Sequence, residues 1–107
     1  MKFDHVAVIS KNIDCSINWY VENWQAKVLY QDESWGLIEI NNTKIAFVTH
    51  AQHPPHICFE VNDKFISKHL SSNIFKKHRD GSTSCYIRDP DGNFIEFLYW
   101  PDKKEEL

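Results

Sequence analysis

Glycine is scarce in this chain: among 107 residues only Gly36, Gly81 and Gly92 occur. They are too far apart for a G-x-G-x-x-G or Walker loop, so a nucleotide cradled on a glycine-rich turn is excluded. No G-x-S-x-G elbow is present, which removes hydrolases of that type. Cysteine is equally sparse. Cys15, Cys58 and Cys85 are odd in number, scattered and without a C-x-x-C pair, as expected of a reduced, intracellular protein. No apolar run approaches the ~20 residues that a membrane span requires. The opening Met1-Lys2-Phe3-Asp4-His5 lacks the long apolar core of a signal peptide. A cytoplasmic location is therefore the expectation. An excess of positive charge is also missing: the net charge is −3 and the basic residues are dispersed. That argues against nucleic-acid or membrane-surface partners, which want a basic stripe.

What is present suffices for a packed core. The hydrophobic fraction is 42% and the aromatic fraction 14%, and the length fits one domain over 1–107. Residues 2–9 alternate and are rich in Val and Ile, as in a strand. Asn12-Ile13-Asp14 offers capping side chains, and Ile13, Ile17, Tyr20, Val21 and Trp24 follow at helical spacing, predicting a helix over 13–24. Strands are expected at about 26–31, 35–40 and 44–50. Asp32-Glu33-Ser34 and the hairpin pair Asn41-Asn42 separate them. Residues 56–61 read as another strand. Asn62-Asp63 caps a helix over roughly 64–72. A less clear strand lies around 74–79, and two more at 83–88 and 93–99 flank the turn Asp89-Pro90-Asp91-Gly92-Asn93. The tail from Pro101 to Leu107 is charged and expected to be loose.

The order strand–helix–strands thus occurs twice, in modules of about 1–50 and about 54–100. His5-Val6-Ala7-Val8 matches His56-Ile57-Cys58-Phe59, and Ile45-Ala46-Phe47 matches Ile95-Glu96-Phe97. Strand alternation puts His5 with Ala7, and His56 with Cys58, on faces opposite their apolar neighbours. His5, His56 and Glu96 then form a two-imidazole, one-carboxylate set, which binds a divalent metal and leaves other positions open.

On these residues the chain resembles the vicinal oxygen chelate superfamily, the glyoxalase, bleomycin-resistance and dioxygenase group. The segments Asp4-His5-Val6-Ala7-Val8, His56-Ile57-Cys58-Phe59-Glu60-Val61 and Arg88-Asp89-Pro90-Asp91-Gly92-Asn93-Phe94-Ile95-Glu96-Phe97 carry the likeness. The resemblance implies an α+β fold of two βαβββ modules forming a cup-shaped mixed sheet. It also implies that His5, His56 and Glu96 are the metal ligands. Glyoxalase I and related epimerases usually add a fourth ligand, whose slot here holds Ala46. That pattern is closer to the fosfomycin-resistance thiol transferases and the extradiol dioxygenases. Small members of the group often dimerise and share each cup between chains, so a homodimer is expected.

Other residues are open to two readings. His50 and His53 sit in Thr49-His50-Ala51-Gln52-His53-Pro54-Pro55-His56, where the prolines suggest an exposed linker. Either histidine is a candidate proton shuttle, and a second metal site with His56 is the alternative. Trp35 is a candidate to stack on a substrate, and most of the large aromatics are expected in the core or against helices. Cys58 is expected as a small inner-wall residue. Arg88 either clamps a substrate carboxylate or orders the adjacent turn.

The expected activity is metal-dependent chemistry on a small substrate chelated through neighbouring oxygens, first of all a glyoxalase-like lyase or isomerase. The metal is Zn, Ni, Mn or Fe(II). Extradiol oxygen insertion, thiol transfer to an epoxide antibiotic and a metal-free binding module are the alternatives.

Overall fold

The computed structural model describes residues 1–101. From residue 102 on, the charged tail lies outside the described residues. The fold is α+β, with eight strands in a mixed sheet and two helices. The sequence β1 (Lys2–Ile9), α1 (Ile13–Trp24), β2 (Lys27–Gln31), β3 (Trp35–Ile40), β4 (Thr43–Val48) makes the first βαβββ module. The second runs β5 (His56–Glu60), α2 (Asp63–His69), β6 (Lys76–Lys77), β7 (Thr83–Arg88), β8 (Phe94–Tyr99). Two compact units divide the chain: His5–Ile57, and Met1–Asp4 together with the residues from Cys58 onward.

In the His5–Ile57 unit the strands follow the order β2-β3-β4-β1, with β1 parallel to β4 and the other pairs antiparallel. Helix α1 starts where Asn12 turns extended and its side-chain oxygen accepts the Cys15 N–H at 3.0 Å. It stops at Gln25, whose left-handed φ of 56° lets its N–H reach back to Val21 and Tyr20. The apolar stripe of α1 buries Ile13 and Ile17 on Ala26, Ile38 and Phe47, with Val8, Ile40 and Ile45 alongside. Gly36 is what lets α1 sit so close: a Cβ there would lie 2.4 Å from Ile17 Cδ1 and 3.1 Å from Ile13 Cγ2. The hairpin between β3 and β4 turns on Asn41 and Asn42, both at positive φ (49° and 67°), the backbone this tight turn demands.

The opposite face of the same sheet is apolar too, with Ala7, Ala46 and Val48 buried beside Ile9 and Leu37. β2 lies at the edge, carries a bulge between Val28 and Tyr30, and is exposed along its length. The expectation that most large aromatics are core fails here: Trp19 is 52% exposed and Trp24 59%. They stack edge-on against one another on the solvent side of α1 rather than beneath it.

In the second unit the order is β5-β8-β7-β6. Asn62 caps α2 through the Phe65 N–H at 2.9 Å. The helix ends at His69, earlier than its pattern suggested, and Leu70 folds under it. The strand expected around 74–79 shrinks to Lys76–Lys77, because the polar residues after it turn back at Gly81. The core holds Val61, Leu70, Cys85 and Phe97, covered by Phe59, Phe65, Ile66, Ile87 and Ile95. All three cysteines are free thiols, and no helix among the described residues is long and apolar enough to cross a membrane.

Candidate metal centre

His5 and His56 lie in the same unit and face each other. Their rings are 5.5 Å apart between centroids and nearly perpendicular, at 72°. His56 is buried, and its Nδ1 lies 2.8 Å from the carbonyl oxygen of Pro54. A carbonyl only accepts, so Nδ1 carries the proton and Nε2 keeps its lone pair. That is the tautomer a metal ligand needs, fixed by the chain itself.

His53 sits edge-on to His56 at 6.4 Å, exposed on the linker, and His50 is exposed as well. The prolines hold the linker outward, as their backbone restriction suggests. Among the described residues neither His50 nor His53 joins a cluster of three metal-ligating atoms, so the second metal site has no geometric support.

Trp35 shares the face of Leu37 and Ala46, and its register partner Val48 pairs with Ile9. It therefore stands four residues along β1 from His5, about 13 Å at ~3.3 Å per residue. Its ring instead stacks on Tyr30 at 4.5 Å. Strand parity alone did not reveal this, because it is the register that sets position along the face.

Glu96 belongs to the second unit, on the sheet face turned away from α2. It is 7% exposed. Tyr86 stands directly opposite it across the β7–β8 pair and hydrogen-bonds to its carboxylate, as does the Cys58 thiol. Burial pushes both groups up from their ordinary range, and the Glu96 charge pushes them further. Both remain neutral donors near neutrality. Cys58 is fully buried and adjoins carboxylates on several sides, Glu96, Asp4 and Glu60, so it is no thiolate nucleophile.

One residue of this face escaped sequence reasoning. His78 Nε2 lies 2.6 Å from Ser84 Oγ and 4.0 Å from Glu96 Oε2. It sits between β6 and β7, in a polar turn where no periodicity marks which way a side chain points. The one available signal was its position in the turn preceding the strand that pairs with Glu96.

Asp89 orders the turn beside Arg88, accepting from the Asp91 and Asn93 N–H groups and from the Asn93 amide. Those bonds, the Asn93 amide first, hold its carboxyl below the usual range. Arg88 lies over the Phe94 ring at 4.5 Å, two cross-strand pairs beyond the Tyr86–Glu96 rung.

The two modules correspond position by position. Leu37 pairs with Ala46 on β3–β4 as Tyr86 pairs with Glu96 on β7–β8. Likewise Gly36 opposes Phe47 as Cys85 opposes Phe97. One module thus presents an apolar rung where the other presents a phenol and a carboxylate.

No family model and no curated protein matches the chain. Solved structures do match. A variant of methylmalonyl-CoA epimerase from Streptomyces coelicolor, bound to 2-nitronate-propionyl-CoA, superposes with a TM-score of 0.72 at 12% identity, over 99% of each chain. The methylmalonyl-CoA epimerase of Mycobacterium tuberculosis gives 0.68 at 14% identity, over 92% of this chain and 87% of that one. A glyoxalase/bleomycin resistance protein/dioxygenase superfamily member from Vibrio splendidus gives 0.66 at 12%, over 92% and 98%. At such identities the likeness is one of fold, and the chain has the vicinal oxygen chelate fold of the glyoxalase, bleomycin-resistance and dioxygenase superfamily.

Proposed function

We propose that the protein is a divalent-metal-dependent lyase or isomerase acting on a small substrate chelated through two neighbouring oxygens, with His5, His56 and Glu96 as ligands. The observation that carries this reading is the His56 ring, buried beside His5 and held by Pro54 with the proton on Nδ1 and the lone pair on Nε2. Glu96 is the third ligand in this reading, as the carboxylate that a two-imidazole, one-carboxylate set calls for. Neutral imidazoles and a buried anionic oxygen suit Zn, Ni, Mn or Fe(II) alike. The presence of epimerases among proteins of this fold agrees with the reaction type.

When bound, such a metal is a Lewis acid that stabilises negative charge developing on the chelated oxygens. The chain supplies the rest. His5 and His56 each present an imidazole nitrogen, and Glu96 supplies the negative charge. His78 takes the proton-carrying role first expected of His50 or His53. Its Nε2 is hydrogen-bonded to Ser84 and adjacent to Glu96, and it is partly open to solvent, so a proton taken there can leave.

Elemental analysis tests this reading. Protein purified without chelator or affinity tag should hold about one metal per site, lost in His56→Ala and Glu96→Gln. Protein that stays metal-free after reconstitution with each ion would sink it and leave the metal-free binding module. A homodimer is part of the proposal, and sedimentation of the purified protein should give twice the mass of one chain.

A second reading has one observation in its favour. Extradiol oxygen insertion with iron(II) wants an additional histidine or tyrosine near the ligands, and His78 and Tyr86 both flank Glu96. Turnover of a catechol under air by the iron(II) form separates it from the lyase.

A further inference from the structure

We propose that the Tyr86 hydroxyl positions the Glu96 carboxylate for the metal, as a neutral hydrogen-bond donor that orients one oxygen without cancelling the charge. The inference rests on Glu96 being a ligand.

The internal repeat supplies the comparison. Tyr86 and Glu96 are direct cross-strand partners, and the same rung in the other module is Leu37 opposite Ala46. That apolar rung packs on one face with Ala7 and Val48 and leaves nothing polar to satisfy. The frame therefore needs neither a phenol nor a carboxylate in order to fold. A buried carboxylate is costly unless it is hydrogen-bonded; Glu96 is buried, and the half-buried Tyr86 hydrogen-bonds to it. A carboxylate buried for structural reasons is ordinarily matched by a Lys or Arg. A guanidinium or ammonium would compete with a cation for the same oxygens. A phenol takes one lone pair of the carboxylate and leaves the rest, with the charge intact.

A phenol is neutral at pH 7 even in water, so its hydroxyl donates. Phe94 stacks edge-on to the Tyr86 ring at 6.2 Å between centroids. Cys58 donates to the same carboxylate, but a thiol is a weaker donor than a phenol, and His78 Nε2 stands off at 4.0 Å.

Tyr86→Phe keeps the ring and removes the hydroxyl, so it isolates the hydrogen bond. Dissociation constants for Zn, Ni and Mn are measured by competition with a chelator for wild type, Tyr86→Phe and Glu96→Gln, along with the melting temperature of each metal-free protein. The expected result is a loss of affinity in Tyr86→Phe of about 10- to 100-fold, the usual effect of removing a partner of a metal ligand. A purely structural role moves the melting temperature and leaves the affinity alone. Wild-type affinity in Tyr86→Phe, with Glu96→Gln impaired, overturns the inference and leaves Glu96 as a ligand. Wild-type affinity in Glu96→Gln, or no binding by wild type, overturns both readings together.

Discussion

His56 donates its Nδ1 proton to the carbonyl oxygen of Pro54, two residues before it, at 2.8 Å. The strand start and the linker proline thus act as one unit: the proline restricts the backbone that presents the carbonyl, and the carbonyl selects the imidazole tautomer. Pro54→Gly loosens that acceptor without touching a ligand. We expect metal affinity to fall by about tenfold, the mild end for loss of such a partner, whereas His56→Ala abolishes it. Competition titration of both variants measures this, and equal affinity of Pro54→Gly and wild type would show that the carbonyl is not what orients the ring.

His78→Gln should leave metal content unchanged and reduce turnover by about 10²- to 10⁴-fold, the usual contribution of a positioned acid–base group. His53→Ala and His50→Ala, on the exposed linker, should have little effect on either. Metal analysis and turnover on the same preparations give the answer. A fully active His78→Gln would return the proton-carrying role to some other group.

The thiols divide by location. Cys15 is exposed, and Cys58 and Cys85 are buried. At pH 8 a thiol reagent should modify Cys15 in the folded protein and reach the other two only on unfolding, as peptide mapping would show. Burial raises both buried thiols, with the Glu96 charge adding to the effect. The folded state therefore holds protons that the unfolded chain releases above about pH 8.5. The stability they contribute is complete below that pH and is lost as pH rises. The melting temperature should decline from pH 8 to 10, less steeply in Cys58→Ala.

Gly36→Ala overpacks the contact between α1 and β3. The added methyl meets Cδ1 of Ile17, a fully buried side chain. Destabilisation of about 1–3 kcal/mol is expected. Because the clash is with Cδ1, adding Ile17→Val should recover part of the loss. Urea unfolding of the single and double variants tests the coupling; additive losses would contradict a direct clash between the two side chains.

Asp89 is held below the usual carboxylate range by Asn93. Its contribution is present above the unfolded pKa of about 4 and is lost as pH falls through the lower folded value. Asp89→Ala should therefore melt earlier than wild type at pH 7, and the gap should narrow by pH 2.

Much of the fold was legible in the residues. α1 runs over Ile13–Trp24 as its spacing predicts, because the Asn12 cap and the apolar stripe act together. The Asn41-Asn42 and Asp89–Asn93 turns declare themselves by residue type. Less local features were hidden. Trp35 has the right parity for the face it shares with Leu37, yet only the strand register puts it level with Ile9. His78 lies outside regular structure, so no pattern aimed it at Ser84. The exposure of Trp19 follows from which stripe of α1 the sheet covers, a tertiary matter that composition does not contain.

The paired rungs, Leu37 with Ala46 and Tyr86 with Glu96, have a consequence for mutational tolerance. Two halves built on the same backbone plan should accept very different substitutions. At the first rung any small or branched apolar exchange keeps the packing, and a selection for folding alone would pass many variants. The second rung should pass a folding selection with apolar pairs like those of the first, yet fail any selection for activity. A deep mutational scan read under both selections would then be lopsided between halves that share one plan, and the residues responsible for the imbalance would outline the working surface without any ligand in hand.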